Sequence, residues 1–225
     1  MTPLADASVS VERPAALFLD FDNTITHGDV LDRVLERYSA TEAWRFWEAE
    51  WQAGRISTRE CLERQTADLR VTLEELVRFS DGIEIDAAFG PLVSWTADHG
   101  IATSIVSDNF QVLIEAMLRR RGLPLVPIYA NGLAFDGNRL RASFPFFDPA
   151  CERCAHCKAQ HLRRISYRRR IFAGDGLSDI CPALAADVVF AKDSLAAHLQ
   201  ARGRPYRRFG SLDDVLECLR EAVHV

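Results

Sequence analysis

The sequence predicts an α/β fold, a doubly wound parallel sheet carrying a small all-helical cap domain. Three observations predict it. Short apolar runs alternate with helix-period segments, the pattern of strand–helix–strand units. Three of those runs stop at carboxylates or hydroxyls, at Asp20, Ser107 and Asp175, as strands do at the carboxyl edge where such sheets bind ligands. One block, residues 29–88, is helical in pattern throughout, with no strand-like alternation. The expected division is a core of residues 1–28 and 89–225 and a cap of residues 29–88.

Composition narrows the class. The chain has 225 residues, 48% of them hydrophobic, enough for a core domain and a small second one. A formal net charge of −5 argues against a nucleic-acid binder driven by phosphate neutralisation. The basic run Arg163, Arg164, Arg168, Arg169 and Arg170 reads as a solvated helix end leading into a strand. Residues 1–14 read as a loose leader without the apolar segment of a secretory signal, and no apolar run reaches the length of a membrane span. Six cysteines, three of them crowded into Cys151, Cys154 and Cys157, fit reduced thiols better than a disulfide framework, so a cytoplasmic protein is expected.

In order, Ala15–Asp20 is the first strand, and the loop after it carries Thr24, Thr26, His27, Gly28 and Asp29. Val30, Leu31, Val34, Leu35 and Tyr38 recur at helical spacing, and Trp44, Phe46, Trp47 and Trp51 mark a second helix. Ser57-Thr58-Arg59-Glu60 and Thr72-Leu73-Glu74-Glu75 are capping-box patterns that open two more. A helix over Pro91–His99 stops at Gly100, Ile101–Val106 is the second strand, and Gln111–Arg121 is a helix closed by Gly122. Pro127–Phe144 is extended about an Asp136-Gly137 turn, hence a hairpin. Lys158–Ile165 is a helix and Arg170–Ala173 the third strand, ending in Gly174-Asp175-Gly176-Leu177-Ser178-Asp179. A helix, a strand Val188–Ala191 and helices from Ser194 and Leu212 complete the chain.

The chemistry gathers at the strand ends. Asp20 and Asp22, one residue apart, repel unless a cation or proton lies between them. With Asp175 and Asp179 they make an oxygen-ligand set suited to Mg²⁺. Lys158 supplies positive charge, and Ser107 and Thr24 hydroxyls, for a phosphate. Taken singly, Ser107 would be a strand-end cap, Lys158 a surface lysine and Asp175-Gly176 an ordinary turn. Cys151, Cys154 and Cys157, with His156 or His161, allow a rival reading as a Zn²⁺ site.

These four motifs, Asp20-Phe21-Asp22-Asn23-Thr24, Ser107, Lys158 and Gly174 to Asp179, occur in the order found in the haloacid dehalogenase superfamily of phosphohydrolases, which the chain resembles over nearly its whole length. The resemblance implies a Rossmann-like core and a helical cap of the phosphoserine phosphatase type. It implies Asp20 as the nucleophile that forms an aspartyl-phosphate and Asp22 as the acid and base. It implies Ser107, with the adjoining Asp108, and Lys158 as phosphoryl ligands. It implies Mg²⁺ on Asp20, the Asp22 carbonyl and Asp175, with Asp179 beside it. The expected partner is a small phosphorylated metabolite, with no nucleic acid and no membrane, on a monomer or homodimer. A phosphate-binding protein without catalysis is the reading of another class, and the Asp20/Asp22 pair argues against it.

Substrate choice is expected from the cap. Phosphoserine phosphatases use an acidic flap residue and a cap arginine; Asp29 stands at the first position and Gln65 at the second. Cys154-x-x-Cys157-Lys158 and Phe190-Ala191-Lys192-Asp193 are more similar to the methionine-salvage phosphatases acting on 2-hydroxy-3-keto-5-methylthiopentenyl-1-phosphate and to phosphoethanolamine/phosphocholine phosphatases. Ser107-Asp108-Asn109 is nearer the Ser-Asp of the phosphocholine type.

Overall fold

The computed structural model describes residues 14–164 and 168–223. The leader read over residues 1–14 lies outside them except for Pro14, and so does Ile165 at the end of the helix expected from Lys158. Seven strands are present among the described residues: β1 (Ala15–Leu19), β2 (Ile101–Phe110), β3 (Ile128–Asp136), β4 (Arg139–Ser143), β5 (Arg169–Gly174), β6 (Val188–Ala191) and β7 (Arg207–Arg208). The helices of the first half are α1 (Val30–Tyr38), α2 (Ala43–Gln52), α3 (Thr58–Asp68), α4 (Leu73–Ser80), α5 (Phe89–Asp98) and α6 (Gln111–Arg120). Those of the second are α7 (Lys158–Arg164), α8 (Ile180–Ala185), α9 (Asp193–Ala201) and α10 (Leu212–Val223), with a 3₁₀ turn at Leu177–Asp179 before α8.

The chain forms two compact units. The first comprises Met1–His27, Ile85–Val106 and Lys158–Val225; the second comprises Gly28–Glu84 and Ser107–Cys157. In the first, β1 pairs in parallel with β2 on one side and β5 on the other, with Leu19 opposite Ile105 and Ala173. The sheet continues through β6 to β7, also in parallel. All five residues of β1 are buried, as expected of a strand with both faces covered. Buried Asp86 ties this unit together. Its amide donates to the Ile25 carbonyl (2.8 Å), and its carboxylate accepts the amides of Ala88 and Leu212, both at 2.9 Å. It thereby satisfies donors at the starts of α5 and α10.

In the second unit α1 to α4 follow one another, and β3 and β4 form the antiparallel hairpin, Asp136 opposite Arg139 with Gly137 at φ +59°. Thr72 makes the full capping box with Glu75. Ser57 accepts the Glu60 amide, while the Glu60 carboxylate accepts from Arg64 instead of closing a box. Two features differ from the sequence reading. β2 runs on through Ser107 to Phe110 instead of stopping at Val106. β7 is a two-residue strand with too few residues to show a period.

Candidate active site

The first unit's site is built where β1 and β5 end. The Asp20 amide still donates to the Ala173 carbonyl (2.9 Å), so Asp20 leaves the sheet in register with β5. The amides of Thr24, Ile25 and Thr26 all converge on the Phe21 carbonyl at 3.3, 2.8 and 3.0 Å. That tight turn, with Asn23 at φ 53°, reverses the chain directly after the strand and holds half-buried Asp22 at its start. On β5, Asp179 folds back so that one carboxylate oxygen accepts the amides of Asp175 (3.0 Å) and Gly176 (3.1 Å). A Cβ on Gly174 would stand 2.4 Å from that oxygen, so the turn requires glycine there.

Lys158 is the first residue of α7 and only 2% exposed. Its Nζ donates to Asp20 Oδ1 at 2.7 Å, to Asp179 Oδ1 at 2.8 Å and to Ser178 Oγ at 3.2 Å. The Thr24 hydroxyl donates to Asp175 Oδ1 at 3.1 Å. Ligand atoms of Asp20, Asp175 and Asp179 all lie within 4.8 Å of one another. Three buried carboxylates crowd about one ammonium, that of Lys158. Burial first, and then the Asp179 charge, hold the Asp20 carboxyl well above the usual carboxylate range, although Lys158 pulls the other way. The same two causes push Asp175 up to about 7. A divalent cation would relieve both, and an all-oxygen donor set fits a hard ion such as Mg²⁺.

In the second unit Ser107 is 1% exposed. Its Oγ accepts the Asn109 amide at 3.0 Å, and its carbonyl lies 2.8 Å from Nδ1 of His156. Asp108 is half-buried, and its carbonyl accepts from the Asn131 side chain at 2.6 Å. Asp29 is the N-cap of α1, accepting the Asp32 amide at 2.9 Å. Gln65 is buried in α3, its amide donating to Glu48 at 3.2 Å. The structure thus brings Asp20, Thr24, Lys158, Asp175 and Asp179 together in one unit and places Ser107, Asp108, Asp29 and Gln65 in the other. Sequence reasoning missed the hold of His156 and Asn131 on the chain at Ser107 and Asp108, since the partners lie 49 and 23 residues apart with no local motif between them.

The Zn²⁺ reading of the cysteines is not supported. The group of three clustered metal-ligating side chains among the described residues is Asp20, Asp175 and Asp179. Nδ1 of His156 is engaged by the Ser107 carbonyl, and Cys157 is buried with its amide on the Phe146 carbonyl at 3.1 Å.

Two relatives are similar along nearly their full lengths. A 2-hydroxy-3-keto-5-methylthiopentenyl-1-phosphate phosphatase of Geobacillus kaustophilus is 30% identical over 91% of this chain and 94% of its own. The protein of the same name from Brevibacillus brevis is 29% identical over 94% and 97%. Among solved structures, a substrate-bound phosphoserine phosphatase superposes with a TM-score of 0.71 over 92% of this chain and 99% of its own, at 17% identity, a likeness of fold. The family of haloacid dehalogenase-like hydrolases matches residues 17–183, a span that holds every member of the carboxylate–lysine cluster. The chain therefore belongs to the haloacid dehalogenase-like hydrolase family.

Proposed function

We propose that the chain is a Mg²⁺-dependent phosphomonoesterase that hydrolyses a small phosphorylated metabolite through a covalent aspartyl-phosphate. The observation that carries this reading is buried Asp20, 2.7 Å from Lys158 and clustered with Asp175 and Asp179. Asp20 is the nucleophile, and its attack on phosphorus divides one difficult displacement into two easier ones. Asp22, one turn position away and less buried, protonates the leaving oxygen and then takes a proton from the attacking water. Lys158 and Ser107, with the adjoining Asp108, hold the phosphoryl oxygens, and Lys158 also keeps Asp20 oriented. Asp20, Asp175 and the Asp22 carbonyl would hold the metal, which would offset the charge of nucleophile and phosphate together. Thr24 steadies Asp175, and Asp179 steadies both Lys158 and the turn at Gly174. Such chemistry has no counterpart in a passive phosphate binder, which needs neither a nucleophile nor an acid.

Residues 29–88 serve as the cap that selects the leaving group. Gln65 carries an amide already directed at Glu48, whereas gripping a substrate carboxylate calls for a guanidinium. That disfavours phosphoserine and favours a neutral leaving group such as the enol of 2-hydroxy-3-keto-5-methylthiopentenyl-1-phosphate, the compound for which the 30%-identical relative is named. The test is a panel of that compound, phosphoserine, phosphoethanolamine and phosphocholine, assayed with Mg²⁺. Turnover is expected to be fastest on the enol phosphate and to fall by about three orders of magnitude or more in Asp20→Asn. Equal rates for wild type and Asp20→Asn would refute the mechanism, and a preference for phosphoserine would refute the substrate.

A further inference from the structure

The cysteine-rich segment before Lys158 has no part in the chemistry described above, yet its histidine is among the most buried polar side chains of the chain. His156 is 1% exposed, and its Nδ1 lies 2.8 Å from the Ser107 carbonyl. A carbonyl can only accept, so Nδ1 carries the proton. The carbonyl of the next residue, Asp108, accepts from Asn131, whose side chain is 0% exposed. Two successive backbone carbonyls are therefore engaged by buried side chains. They fall in the last part of β2, just past the apolar pair Ile105-Val106.

Around this hold the geometry is tight. The His156 ring packs on Phe146 with centroids 5.1 Å apart, and Phe146 meets Tyr129 edge-on at 5.7 Å. The Cys157 amide donates to the Phe146 carbonyl. The imidazole thus has a defined orientation. The Ser107 Oγ accepts the Asn109 amide at 3.0 Å, which leaves the Ser107 O–H proton as a donor. A phosphate oxygen is an acceptor, so a hydroxyl fixed in this state is matched to it.

We propose that His156 is the positioning residue of the phosphoryl subsite: its Nδ1–H fixes the Ser107 carbonyl and so aims the Ser107 hydroxyl as a donor. This rests on the reading of Ser107 as a phosphoryl ligand. It also assigns a task to the segment from Cys151 to Cys157, which carries His156.

The test is a double-mutant cycle read by the inhibition constant of inorganic phosphate and by the KM and kcat for p-nitrophenyl phosphate with saturating Mg²⁺. His156→Ala is expected to raise the phosphate inhibition constant and KM about tenfold with a smaller change in kcat, the mark of lost binding common to ground and transition states. His156→Asn, whose Nδ2 stands where Nδ1 stood, recovers most of the loss; His156→Gln, whose amide reaches the Nε2 position, does not. In a Ser107→Ala background His156→Ala has no further effect, because the interaction it orients is already gone. An undiminished effect of His156→Ala in that background, or Asn and Gln variants that behave alike, would overturn the proposal. Should His156→Ala not fold, the Asn and Gln comparison decides alone. If Ser107→Ala itself leaves phosphate inhibition unchanged, the role of Ser107 in the proposed function fails, and His156 with it.

Discussion

Lys158 bridges two buried carboxylates at once, at 2.7 and 2.8 Å, and has almost no exposure through which water could replace it. Its removal strands charge in a low-dielectric site, which is far more costly than losing a surface pair. Lys158→Met is therefore expected to lower stability in chelator by about 3–5 kcal/mol, measured by urea unfolding. Asp20→Asn has the opposite sign. It removes one of three crowded carboxylates and leaves Lys158 paired with Asp179, so the chelated variant should melt above chelated wild type although it is inactive. Gly174→Ala is expected to lose metal affinity, read by Mg²⁺ titration, because its Cβ collides with the Asp179 carboxylate that shapes the turn at Asp175.

Among the elements, α1 depends on a residue with two possible roles. Asp29 caps the helix through the Asp32 amide, and under the proposed function it would also serve as the acid of the substrate flap. The two roles separate by substitution. Asp29→Ala should lower stability by about 1 kcal/mol, and Asp29→Ser, which keeps an oxygen for the cap, by only a few tenths. A change in KM in the Ser variant, whose stability is retained, would then report on substrate. The capping boxes show how far local signals reach. Thr72 forms the box that its four-residue motif announces, while at Ser57 the motif is the same but Glu60 turns to Arg64 one helical turn on. Half of a motif is local, and the other half depends on which partner is nearer.

For the whole chain, stability should depend on metal and on pH in ways the site predicts. Binding Mg²⁺ at one hundred times its dissociation constant adds about 2.7 kcal/mol, seen as a rise in melting temperature over chelated protein that vanishes in Asp175→Asn. His161, buried in α7, has its pKa lowered to about 4 by burial and by Arg164. The unfolded chain takes up a proton near the ordinary histidine value of about 6.5, and the folded chain only near 4. As pH falls across that window the unfolded state binds its proton first, so stability drops, by at most about 3 kcal/mol at the low end. His161→Leu should flatten that part of the stability profile, as measured by denaturant unfolding between pH 7 and about pH 4. Among the described residues no helix is long and apolar enough to cross a membrane.

The sequence by itself determined where β1 and β5 end and the acidic residues that follow them. A buried strand, a turn and a helix start each leave a signature within a few residues, so Asp20, Lys158, Asp175 and Asp179 could be picked out before any coordinates. It also determined the family, since those motifs occur in one order along most of the chain. What the tertiary structure decided was partnership. Lys158 meets Asp20 across 138 residues, Thr24 meets Asp175 across 151, Asp86 reaches Leu212 across 126, and His156 holds Ser107 across 49. None of these pairs follows from periodicity or composition. Each depends on strand register and on which polar groups burial leaves in need of a partner, and those are settled only when distant segments pack together.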